Sequence, residues 1–146
     1  MKRKLFWGLG LSVLALLGYG GWKAFDYNRF DSDTRVIAIG YHSDNCRECL
    51  GLRKRMRAMN RQFGWDDIVF VRYDHTDSTR KARSEAQLAK LGFLDIAQRD
   101  YKRLAQVRLY SVRTQKFITY IDFDYFPQVM ADRIRLALDL TAKGEF

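Results

Sequence analysis

The chain has 146 residues but only two cysteines, one proline and two histidines. Two cysteines cannot build a disulfide-dense scaffold. A single proline excludes a collagen-like or linker-rich protein. No Ser-His-Asp set, phosphate-binding glycine loop, paired-carboxylate signature, internal repeat or low-complexity tract emerges. Apolar residues at 47% beside charged residues at 29% exclude a disordered chain. Three of the 26 basic residues are Lys2, Arg3 and Lys4, and all 17 acids follow Trp22, so the remainder keeps a basic surplus of six that favours anionic partners.

The N-terminus reads as an address or an anchor. After the cationic start, residues 5–22 run 18 positions without a charge. That length falls between a signal peptide and a spanning helix. Trp7, Tyr19 and Trp22 suit membrane interfaces, whereas Gly18 and Gly20 make a weak cleavage site. Residues 1–25 are therefore expected to be a transmembrane anchor, with a cleaved signal as the alternative. No cysteine follows the apolar run, which excludes a bacterial lipoprotein. Either reading exports the rest. The expectation is a single-pass protein of a bacterial inner membrane, its N-terminus cytoplasmic and its domain in the oxidising periplasm, or a secreted protein after cleavage. Residues 26–34 read as a polar tether and 35–143 as one domain.

Within that domain, residues 35–41 form a short apolar run suited to a buried strand. The spacing predicts a helix next, with Asn45 as N-cap, Glu48 completing a capping box and Gly64 closing it. Cys49, Leu52, Met56, Met59 and Phe63 make its apolar stripe. A second strand is expected over 68–73, a helix over 79–91 stopped by Gly92, and a short helix capped by Asp95 and Gln98 that runs to about 104. Strands over 106–112 and 116–121 form a hairpin. Pro127 opens a last helix whose inner face is Met130, Ile134, Ala137, Leu138 and Thr141. The order β-α-β-α-(α)-β-β-α predicts an α/β fold, a mixed sheet with helices against it.

Cys46-Arg-Glu-Cys49 is the sharpest feature. It follows a strand and opens a helix, and a helix N-terminus stabilises the thiolate that attacks disulfides. With Asn45 as N-cap, Cys46 is the first helical residue and Cys49 falls one turn later on the inward stripe. The outer cysteine can attack and the inner one resolve the mixed disulfide. Arg47 favours the Cys46 thiolate and Glu48 opposes it. The same spacing serves zinc sites and structural bridges, but a strand-to-helix junction in a β-α-β pattern points to redox use.

The strand over 36–41, Cys46-Arg-Glu-Cys49, the strand over 68–73, Ala89-Lys-Leu-Gly92, the hairpin and the last helix together resemble the thioredoxin-like family over roughly residues 35–142. The resemblance is greatest to its membrane-tethered or exported thiol–disulfide oxidoreductases. It implies a thioredoxin-like mixed sheet, protein thiols and disulfides as partners, and no cofactor beyond a redox-active Cys46–Cys49 disulfide. Three positions differ from the family pattern. Asn45 stands where a tryptophan is usual, and Gly40 where a buried acid often precedes the first cysteine by six residues. Val107 takes the place of the substrate-contacting cis-proline. About ten extra residues, near 94–104, also precede the third strand.

Two other classes of function remain open. One is a non-catalytic thioredoxin-like scaffold for a membrane assembly. The other is a copper or zinc chaperone using Cys46, Cys49 and His42, with His75 as a further ligand. Arg53, Arg57 and Arg61, beside Lys54 and Arg55, predict a solvated basic helix face, or contact with lipid headgroups or an acidic partner. The aromatics Tyr101, Tyr110, Tyr120, Phe123, Tyr125 and Phe126 are expected mainly in the core, with some of 122–126 exposed. No nucleic-acid motif is present, and no nucleic-acid partner is expected.

Overall fold

The structure is a computed structural model that describes residues 33–63 and 67–146. The anchor or signal expected over 1–25, most of the tether, and Gly64 lie outside the described residues. Four strands, β1 (Val36–His42), β2 (Ile68–Asp74), β3 (Gln106–Ser111) and β4 (Phe117–Asp122), form one sheet in the order β2-β1-β3-β4. β1 runs parallel to β2 and antiparallel to β3, and β3 to β4 is the expected hairpin. The helices are α1 (Arg47–Phe63), α2 (Ser78–Lys90), α3 (Leu94–Arg99) and α4 (Pro127–Ala142). This mixed sheet flanked by helices fits the thioredoxin-like arrangement. Among the described residues no helix is long and apolar enough to cross a membrane.

Alternation along β1 builds two cores. Val36 and Ala38 face α1 and α4, joining Leu52, Met59, Phe63, Met130 and Ile134. Ile37, Ile39 and Tyr41 face the other way, onto Leu88, Phe93 and Ile96 of the α2–α3 side. β1 is buried on both faces because it is a central strand, which explains its unbroken apolar run. The expected stripe of α1 is inward, with Met56 at its margin. Pro127 is the first residue of α4. Met130, Ile134 and Ala137 are buried as expected, joined by Ala131, while Leu138 is only partly buried.

α2 starts with Asp77, whose side chain accepts the Arg80 amide at 2.8 Å. It ends in a Schellman motif: Gly92, at φ +74°, donates to Ala89 O at 3.0 Å and Phe93 donates to Leu88 O at 2.9 Å. Three expectations on helix ends need correction. α1 starts at Arg47, so Cys46 and not Asn45 is its cap. Asp95 lies inside the first turn of α3 and does not cap it, because the N-cap is Phe93. α3 stops at Arg99 and does not reach 104, because Asp100 and Arg103 close a turn and Ala105 enters β3 at φ +60°. A left-handed alanine cannot continue a helix.

Candidate functional site

β1 delivers the chain to the cysteines through a tight turn. Its last residue, His42, is buried, and Ser43 O accepts the Cys46 amide at 3.1 Å. Cys46 O then takes the Leu50 amide at 3.2 Å, the first hydrogen bond of α1. The Cys46 sulfur accepts the Cys49 amide at 3.2 Å, in the place where a serine or aspartate oxygen usually caps a helix. Asn45 is exposed and spends its amide on Ser43 Oγ at 3.3 Å. Cys46 and Cys49 are joined in a disulfide with Cα atoms 5.2 Å apart. Cys46 is partly exposed and Cys49 is buried, so the pair has an outer and an inner member. The helix dipole and the Cys49 amide both favour negative charge on that sulfur after reduction. Arg47 and Glu48 point outward from the first turn and are exposed.

A polar network missed at the sequence level anchors this turn. His42 Nε2 lies 2.9 Å from Asp44 Oδ1, and Arg80 pairs with the other carboxylate oxygen. Arg53 adds a longer contact at 3.6 Å. The hydrogen bond with His42, then that from Arg80, hold the Asp44 carboxyl down at about 2. The Asp44 amide donates to Thr76 Oγ1 at 2.9 Å, the Thr76 amide donates to Asp74 Oδ1 at 3.0 Å, and the His75 amide donates to His42 O at 2.7 Å. Burial opposes ionisation of Asp74, yet hydrogen bonds from Thr76 and the nearby Arg72 keep its carboxyl below the usual range. The loop before the cysteines is thus tied to the end of β2 and the start of α2. Its sequence signal is faint, since Asp44, Thr76 and Arg80 each read locally as turn or surface residues.

Val107 and Gly40 lie opposite each other across the β1–β3 pair, and both line a groove that also contains Cys49. A Cβ on Gly40 would meet Val107 Cγ2 at 3.6 Å, so the two positions are in near contact. The other residues singled out from sequence are scattered. His75 packs at a tilt against Tyr73 with ring centroids 4.1 Å apart, and its Nε2 is buried without a partner among the described residues. Among those residues, no cluster of three or more His, Cys, Asp or Glu side chains is placed to hold a metal. The basic stripe is not one solvated face. Arg55 donates to Phe123 O at 2.6 Å and Tyr125 O at 3.2 Å, Arg53 and Arg57 line the groove, and Arg61 stays exposed. Of the aromatics, Tyr110 is buried, whereas Tyr101 and Phe126 are exposed.

No family model and no curated protein matches the chain. A solved structure that it resembles is the crystal structure of Trxlp from Edwardsiella tarda EIB202. The two share 12% identity over 69% of this chain and 82% of that one, with a TM-score of 0.47.

Proposed function

We propose that the protein is a membrane-anchored, extracytoplasmic thiol–disulfide oxidoreductase that exchanges disulfides with protein substrates through Cys46 and Cys49. One observation carries the reading: Cys46, a partly exposed residue, caps α1, and its sulfur is bridged to a buried Cys49 and accepts the Cys49 amide. In the reducing direction the Cys46 thiolate attacks a substrate disulfide, forming a mixed disulfide and releasing one substrate thiolate. The Cys49 thiolate then attacks the Cys46 sulfur, which releases the second substrate thiolate and closes the Cys46–Cys49 bond. Two electrons pass from the pair to the substrate, and oxidation is the same path reversed. The dithiol pair is the whole redox apparatus, without a further cofactor. Arg47 and Glu48 modulate the charge around Cys46 in opposite senses, and Val107 contacts the substrate chain beside the cysteines. Residues 1–25 hold the domain on the outer face of a bacterial inner membrane.

The test is the reduction potential of the pair in the full chain, equilibrated in glutathione buffers and read by thiol alkylation and mass. A value between about −120 and −270 mV supports exchange. A value below about −300 mV identifies an inert structural bridge and a non-catalytic module. Cys49→Ser should trap a mixed disulfide on Cys46, and Cys46→Ser should trap none.

A further inference from the structure

β2 is an edge strand: among the described residues it pairs with β1 alone. The His75 amide turns inward to His42 O, and the Asp74 amide turns outward to Ser84 Oγ at 3.2 Å. Strand alternation then directs the amide and carbonyl groups of Phe70 and Arg72 to the outer rim as well. No hydrogen-bond partner for those rim groups is present among the described residues.

A groove of about 720 Å³ runs along this rim between α1 and α2, with Cys49 in its wall. Leu52, Met56 and Phe70 give it an apolar floor. Five arginines line it: Arg53 and Arg57 from α1, Arg72 from β2, and Arg80 and Arg83 from α2. Two carboxylates offset part of that charge. Asp44 takes Arg80 and Arg53, and Asp74 takes Arg72 at 3.3 Å. Arg57 and Arg83 are exposed and have no carboxylate partner among the described residues.

From this combination we infer that the groove binds an extended, acidic segment of a partner polypeptide, added as a strand to the rim of β2. Free backbone groups on an edge pair with a peptide backbone, and alternate side chains then face opposite sides. One set faces α1, with the apolar floor and Arg57, and the other faces α2 and carries carboxylates to Arg83. A phosphate or a lipid headgroup would use the guanidiniums but leave the rim and the floor unused. The inference rests on the exchange reading for its purpose: a segment held beside Cys49 brings a neighbouring disulfide within reach of Cys46.

The test uses the full-length protein and a fluorescent, cysteine-free peptide of alternating glutamate and valine, read by anisotropy. The expected result is saturable binding that weakens with added salt. It should weaken roughly tenfold in Arg57→Glu/Arg83→Glu, with the milder Arg57→Gln/Arg83→Gln in between. Peptides with lysine for glutamate, or N-methylated at alternate residues, should not bind. Equal binding of the N-methylated peptide, or full displacement by inorganic polyphosphate without any effect of methylation, overturns the inference in favour of a general polyanion site. Indifference to both double variants overturns it outright. Binding without any disulfide exchange would leave the groove standing and remove the exchange reading, whereas exchange without peptide binding would do the reverse.

Discussion

On one face of the sheet Val36, Ala38, Leu109 and Ile121 meet Met130 and Ile134 of α4 and the stripe of α1, with few polar ties. On the other, Ile37, Ile39 and Leu88 share the space with Tyr41, Tyr73 and Tyr110. There Tyr73 Oη donates to Glu85 at 2.7 Å, and Arg108 Nε reaches Tyr110 Oη and Asp100, each at 3.1 Å. Apolar contact has no direction, so the face that carries the cysteine helix holds it by fitted volume, helped at its rim by Arg55. The tyrosine face adds bonds of fixed direction, and these make it responsive to the loss of single polar atoms and to pH. The difference separates two jobs. The aliphatic face sets where Cys49 sits, and the tyrosine face ties α2, and with it the Asp44 network, to the sheet.

Truncation should separate the faces most strongly. Ile134→Ala empties a fully buried site on the aliphatic side and should lower stability by about 2–5 kcal/mol, read as a lower urea midpoint. A shift below about 1 kcal/mol would show that α4 relaxes into the space and that volume is not what fixes this face. Tyr73→Phe keeps the ring but removes the bond to Glu85 and should lower stability by about 1 kcal/mol. An unchanged midpoint would reduce the polar ties of the second face to decoration.

The smallest effect concerns His75. Burial, then the nearby Lys81, holds its pKa below the ordinary histidine value. The unfolded chain therefore takes up this proton more readily than the fold does. The His75 contribution is complete above about pH 6.5 and is lost as pH falls below it toward the depressed folded value. Thermal melts at about pH 7.5 and 5.5 should show a drop that His75→Gln flattens, and equal slopes would assign the drop elsewhere.

Much of this architecture is legible from local pattern. The strand at 36–41, the Cys49–Phe63 stripe, Gly92 as a stop and Pro127 as a start each follow from one side-chain period or one backbone preference. The cap of α1 is not legible, because cysteine is not among the usual capping residues and Asn45 is. The end of α3 is hidden for a related reason: nothing in an alanine announces the left-handed backbone at Ala105. The groove is the least visible. Arg57, Arg72 and Arg83 come from three elements, and only the order of the strands makes them neighbours. A stripe that reads as one solvated face divides into Arg55, used as a clamp on the chain before α4, and Arg53 and Arg57, turned to the rim of β2.

That rim has a second consequence, for solubility. Two copies of an uncovered strand can pair edge to edge and start a fibre or a swapped dimer. Here such a pairing would press the cationic rim of one copy against that of the next, with Arg57 and Arg83 lacking a carboxylate partner among the described residues on each side. Like charges across the seam oppose it, so the exposed edge of β2 discourages self-association while staying open to a strand of the opposite sign.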